Sequence, residues 1–199
     1  MLKQPSKEEL EQLYIEQKKS VSKIAQLYNC SEHKVNYWIY KYKIPKRTIS
    51  ASMYLFHNPN GDPFSFVAPK TIEEAQLFGL GLGLYWGEGT KRNKNSVRLG
   101  NTDSKLIKKF IEFLEKFFNI DKIKLRYALQ IFSDMSPGTA LDFWKKELGV
   151  SGENFQKVII TPSRNTGTYK NKIKHGVLTV YFCNVKLRNI LCETIENIV

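Results

Sequence analysis

The stretch Gly79-Leu-Gly-Leu-Gly-Leu-Tyr-Trp-Gly-Glu-Gly-Thr-Lys91, GLGLGLYWGEGTK, sets five glycines and one carboxylate into a run that otherwise reads as a buried helix. Each interior glycine costs roughly 0.5–1 kcal/mol relative to alanine, so the segment must recover that loss from something only small residues permit. Upstream, TIEEAQLFGL from Thr71 is helix-forming, with Glu73 and Glu74 in the first turn where the helix dipole favours acids. Gly79, Gly83 and Gly87 recur every fourth residue and line one stripe, flanked by Leu80 and Leu84, on which a second backbone could approach closely. Gly89 predicts a left-handed helix end, which sets Glu88 at the base of that crossing. A phosphate-binding glycine loop would need a preceding strand, and the apolar run Leu77–Gly87 is too short to span a bilayer.

Downstream, NSVRLGNT reads as a strand, SKLIKKFIEFLEKFF as an amphipathic helix, KIKLRYALQIF as a strand and GTALDFWKKELG as a helix. FQKVIITPS and GVLTVYFCN read as further strands and VKLRNILCETIENIV as a closing helix, so residues 71–199 predict an α+β domain. In KIKLRYALQIF the polar Lys122, Lys124, Arg126 and Gln130 share one parity, while Ile123, Leu125, Tyr127, Leu129 and Ile131 share the other. One basic face and one core face follow, and Arg98 and Lys157 join the basic set from neighbouring predicted strands.

The formal charge of +12 points to a polyanionic partner such as DNA or RNA. It is unevenly spread: +5 over residues 1–50, −3 over 51–89, +10 over 90–175 and zero over 176–199. Lys91 and Arg92 follow the glycine helix, and the long segment SRNTGTYKNKIKHG adds Arg164, Lys170, Lys172 and Lys174 without an acid, as a DNA-contacting flap would. Three scattered cysteines without C-x-x-C spacing support neither a disulfide framework nor a zinc site. With no signal-peptide pattern at the start, the expectation is a soluble, cytoplasmic, nucleoid-associated protein with no membrane partner and no small-molecule ligand.

Residues 1–47 predict a small all-α domain. SKEELEQLYIEQ opens with a Ser N-cap and a Glu three residues on, and SVSKIAQLYN predicts a second helix with Ile24, Ala25 and Leu27 inward. After a break at Asn29-Cys30, Ser31 caps a third, SEHKVNYWIYKYKI. With Val35, Trp38 and Ile39 inward, His33, Lys34, Asn36, Tyr37 and Tyr40 face out toward bases and phosphates, and Lys41, Lys46 and Arg47 stand where a DNA backbone would run. The segment SVSKIAQLYNCSEHKVNYWIYKYKIPKR is similar to prokaryotic helix-turn-helix segments of the resolvase type. Residues 48–70, rich in proline and Asn-Pro-Asn-Gly turn signals, predict a linker.

The nine residues GLGLYWGEG, Gly81 to Gly89, resemble the LAGLIDADG motif of homing endonucleases. Gly83, Leu84, Gly87, Glu88 and Gly89 stand at its third, fourth, seventh, eighth and ninth positions, while Gly81-Leu82 replaces the opening Leu-Ala and Trp86 the Asp of the sixth. The resemblance implies a mixed helix and antiparallel-sheet domain that saddles double-stranded DNA, and a homodimer through Gly79, Leu80, Gly83, Leu84 and Gly87. It further implies a catalytic, Mg2+-binding Glu88, aided by a basic residue such as Lys157 or Lys124. A scaffold of this kind joined to a helix-turn-helix also resembles bacterial WhiA-type transcription factors, which implies DNA binding without cleavage.

Overall fold

The computed structural model describes residues 4–163 and 174–198, and the chain divides into two compact units, Met1–Pro63 and Phe64–Val199. Among the described residues it is a mixed α+β protein with eight α-helices and one four-stranded sheet.

In the first unit, α1 (Lys7–Glu11) starts at Ser6, whose hydroxyl accepts from the Glu9 amide at 3.1 Å while the Glu9 carboxylate accepts from the Ser6 amide at 2.9 Å. This reciprocal capping box fixes the helix start that the sequence predicts. The helix runs into a π-helical turn, Gln12–Glu16, and is followed by α2 (Val21–Leu27), capped by Ser20, and α3 (Glu32–Lys41), capped by Ser31. Asn29 adopts a left-handed φ of 47° between α2 and α3, and the Cys30 amide closes the turn on the Ala25 carbonyl at 2.9 Å. Leu10, Tyr14, Ile24, Ala25, Val35, Trp38, Ile39 and Ile44 form the core. Leu27 is exposed instead of inward, because one turn beyond Ile24 lies Tyr28, which meets the Trp38 ring edge-on at 6.0 Å.

The expected linker is largely structured. Thr48 caps α4 (Ile49–His57), although that helix buries no residue. Farther on, the Ser65 and Val67 amides donate to the carbonyls of Phe118 and Phe117, and Phe64 and Phe66 pack against Phe118, so residues 64–67 belong to the second unit. Turn-forming residues set where α4 stops, but the aromatic residues after Pro63 find an apolar partner, which local propensity does not reveal.

The second unit is a two-layer packing. Helices α5 (Ile72–Glu88), α6 (Ser104–Phe118), α7 (Pro137–Leu148) and α8 (Val185–Ile198) share one core with the inward residues of β1 (Val97–Asn101), β2 (Arg126–Phe132) and β4 (Val177–Phe182). The sheet order is β1-β4-β2-β3, with β3 spanning Ile159–Thr161. The β1–β4 and β4–β2 pairs are antiparallel, but β3 runs parallel to β2, with Gln130 opposite Ile159. The expected antiparallel sheet is therefore corrected to a mixed one: α7 carries the chain back to the same end of the sheet, as a parallel crossover needs.

Two predicted strands shrink. Residues 122–124 form a 3-10 turn that the Asp121 carboxylate caps, accepting from the Ile123 amide at 3.0 Å, so Lys122 and Lys124 stand before β2. Lys157 likewise precedes β3, in an extended segment where the Gln156 amide donates to the Tyr127 carbonyl at 2.8 Å.

Candidate nucleic-acid interface

On the sheet, residues of one parity enter the core: Val97 and Leu99, Leu178, Val180 and Phe182, and Tyr127, Leu129 and Ile131 are buried. The other parity presents Arg98, Thr179, Tyr181, Arg126 and Gln130, away from the helices. No Asp or Glu occurs on any of the four strands. This face carries two arginines among medium and long polar side chains on a rigid support, an arrangement that can offer cationic donors to an anion.

Pairing register brings Arg98 and Arg126 together: both stand directly opposite Tyr181, one on each side. The Arg98 Nε donates to the Ser96 hydroxyl at 2.8 Å and its guanidinium lies 5.0 Å over the Tyr181 ring. One terminal nitrogen of Arg126 donates to the carbonyls of Ile123 and Leu125, at 2.9 and 3.0 Å. Gln130 donates to the Thr161 hydroxyl at 2.9 Å.

At the sheet edge, the glycine helix α5 ends differently from its predicted geometry. Gly89 is extended, with φ −73° and ψ 138°, because the chain leaves the helix directly into pairing with edge strand β1: Gly89 bridges Leu99, and the Thr90 amide donates to the Arg98 carbonyl at 2.9 Å. Glu88 is thereby anchored beside the edge that carries Arg98. Its carboxylate is exposed and makes no hydrogen bond or ion pair with a described residue. The Lys91 ammonium caps the helix by donating to the Trp86 carbonyl, and Arg188 of α8 donates to the Lys91 carbonyl at 2.8 Å. Arg92, Lys157 and Lys174 are exposed, and no hydrogen bond or ion pair joins Lys157 or Lys124 to Glu88 among the described residues.

The glycines divide by role. A Cβ on Gly81 would lie 2.1 Å from Cγ of Phe113 on α6, so the close crossing inside the chain is made there. A Cβ on Gly79, Gly83 or Gly87 meets nothing within 4 Å. That stripe is open, bordered by exposed Leu80 and Trp86, and Gly79 and Gly83 line a shallow apolar groove with Leu82, Trp86, Ile195 and Ile198. Leu84, expected on the stripe, turns inward against the core.

In the first unit, α3 buries Val35, Trp38 and Ile39 and exposes His33, Lys34, Tyr37, Tyr40 and Lys41. Asn36 is half-buried and donates to the Glu32 carbonyl at 2.9 Å. Lys46 is exposed, whereas Arg47 is committed internally. Its guanidinium donates to the Lys18 carbonyl at 3.0 Å and to the Lys19 carbonyl, and stacks 4.1 Å over the Tyr14 ring. Arg47→Gln is therefore expected to lower the melting temperature of the first unit by several degrees while leaving the salt dependence of any DNA binding unchanged, which melts and salt titrations check. Arg164, Lys170 and Lys172 lie outside the described residues.

Sequence reading missed Tyr181 and Arg188. Tyr181 had a signal, since GVLTVYFCN alternates and places it with Thr179; Arg188 had none, because its partner is a backbone carbonyl 97 residues away. Among the described residues no three His, Cys, Asp or Glu side chains gather as a metal site, and no helix is long and apolar enough to cross a membrane. No family model, no curated protein and no solved structure matches the chain.

Proposed function

We propose that the chain binds double-stranded DNA sequence-specifically and acts as a homing-type endonuclease in a homodimer. The observation that carries the DNA reading is the sheet face turned away from the helices, with Arg98 and Arg126 on the two strands that flank β4 and no carboxylate on any of the four strands. In the first unit, three helices with a tight turn before α3 support a helix-turn-helix reading, with His33, Tyr37 and Tyr40 on the outer face of the reading helix. The LAGLIDADG resemblance adds the chemistry.

Glu88 supports the nuclease reading through its placement. A carboxylate at a helix C-terminus faces the negative end of the dipole, and among the described residues Glu88 has neither an ion pair nor a capping role to offset that. Mg2+ is commonly held by one or two carboxylates together with substrate phosphates, so one Glu88 from each of two copies, with DNA oxygens, is a donor set that fits the ion. When bound there, the ion would supply charge stabilisation and an activated water for phosphodiester hydrolysis. One chain presents a single such carboxylate, and a bulky exposed Trp86 stands two residues before it. These two features favour the second reading, a DNA-binding regulator without cleavage.

Duplex selection from random sequence tests DNA recognition, and a two-fold symmetric site supports the dimer. The stripe tests the dimer separately. Gly79→Ala with Gly83→Ala adds methyl groups into open space, so helix propensity should stabilise the isolated fold by roughly 0.5–1 kcal/mol per site. Sedimentation should show the same variant dimerising at least about tenfold more weakly, since the methyls separate the two helices. An unchanged dimer would remove the stripe as its contact.

A further inference from the structure

Tyr181 is buried, at 6% exposure, yet it belongs to neither apolar core. Its neighbours on β4, Val180 and Phe182, point into the core, so Tyr181 faces away from it, between Arg98 of β1 and Arg126 of β2. Its hydroxyl oxygen is shielded from solvent and has no hydrogen-bond partner among the described residues. Leaving such a group unsatisfied costs about 1–3 kcal/mol; Tyr85 and Tyr127 carry likewise unpaired hydroxyls inside the core, and among the described residues Tyr181 is the one of the three that lies outside it. Burial pushes the hydroxyl pKa up, with Cys183 adding to the rise and the Arg98 and Arg126 charges opposing it, so it remains a proton donor at neutral pH.

The groups around it are donors too. Arg98 spends only Nε, on Ser96, and Arg126 spends one terminal nitrogen on two carbonyls, so each guanidinium keeps donors uncommitted among the described residues. Their strands flank β4, which sets the two backbones roughly 10 Å apart; the Arg98 guanidinium lies over the Tyr181 ring, while that of Arg126, on the other side, is held at the carbonyls of Ile123 and Leu125. A base edge in the major groove offers at most about two acceptors, too few for two guanidinium forks and a hydroxyl. A phosphodiester, with two charged oxygens that each accept several hydrogen bonds, matches the set.

Resting on the DNA-binding reading above, we propose that Arg98, Tyr181 and Arg126 form a built seat for one phosphodiester of duplex DNA, with the Tyr181 hydroxyl as its central donor. The seat is a positioning contact: it fixes how the duplex lies on the sheet and is indifferent to base identity.

The test uses the full chain and fluorescence anisotropy on two duplexes of unrelated sequence over a salt series, with melting of the free protein. Tyr181→Phe is expected to weaken binding to both duplexes by about tenfold, the size of one hydrogen bond to a charged group, with an unchanged salt slope. Arg98→Gln and Arg126→Gln should each lower that slope by about one, because each removes a charge and not just a hydrogen bond. The free Tyr181→Phe protein should melt at or above the wild-type temperature, since the change removes an unsatisfied buried hydroxyl. Wild-type binding by Tyr181→Phe, a loss confined to one sequence, or a lowered melting temperature would each overturn the seat. A wild-type chain that binds neither duplex would instead overturn the DNA reading on which the seat depends.

Discussion

Gly81→Ala is expected to destabilise the second unit by about 2 kcal/mol, although alanine is the better helix former by roughly 1 kcal/mol. The reason is the crossing of α5 and α6. A Cβ at position 81 would sit 2.1 Å from Cγ and 2.2 Å from Cδ2 of Phe113, well inside contact distance. Phe113 has no room to retreat: it is fully buried, and its ring packs against those of Phe78, Phe110, Phe117 and Phe118 at centroid distances of 5.5–5.9 Å. Inserting one methyl must therefore move a helix or push several rings off their rotamers, which typically costs 1–3 kcal/mol and occasionally more. Urea unfolding should show the loss as a lower midpoint with the same slope. A smaller residue across the crossing gives the control. Phe113→Leu should be destabilising alone, but in combination with Gly81→Ala it should cost less than the sum, since the two side chains compete for one space. Additivity would mean that Gly81 acts only through backbone conformation. Glycine is tolerated in this helix for two separate reasons, one at Gly81 inside the fold and one on the open stripe.

That division illustrates how far local reading reaches. The bounds of α6 are legible because Ile107, Phe110, Ile111, Leu114, Phe117 and Phe118 recur at helical spacing and Asn119 ends the helix in a left-handed cap, all within one segment. The alternation of β2 is legible for the same reason, and Arg126 and Gln130 do share its outer face. What local pattern leaves open is decided by distant groups. Every fourth residue being glycine marks a stripe, but whether a glycine meets Phe113 or open space depends on where α6 crosses. Charge identifies Arg47 as a candidate phosphate ligand, whereas the carbonyls of Lys18 and Lys19 at the end of a π-helical turn capture it first. β3 reads as a strand, but its parallel pairing follows from α7 lying between it and β2. Tyr181 appears in the sequence as one more aromatic residue on a strand; only the register, which sets an arginine on each side of it, makes it part of the proposed phosphate seat.

Glu88→Gln is expected to abolish metal-dependent DNA cleavage, by at least about a thousandfold, while leaving DNA binding intact and the fold slightly more stable. The last two effects follow from the fold itself. Glu88 is exposed and without a described partner at the C-terminus of α5, so an amide of the same shape breaks no contact. Removing a negative charge from that end relieves an unfavourable dipole interaction, worth about 0.3–1 kcal/mol at an exposed site. Cleavage, by contrast, would depend on the charge that glutamine lacks, and losing several kcal/mol of transition-state stabilisation corresponds to about three orders of magnitude in rate. The comparison is made on DNA spanning the gene's own locus, with the gene absent, in Mg2+ and in EDTA. Single-site double-strand cuts that need Mg2+ and vanish in the variant establish the nuclease reading. Specific binding without any cut, the same for both proteins and indifferent to EDTA, sinks that reading and leaves the regulator. In that case Glu88 is a carboxylate held at the wrong end of its helix at a cost in stability and with no chemistry to perform, and exchange to glutamine would be an improvement with no functional loss. The two proteins would then differ only in their melting temperatures.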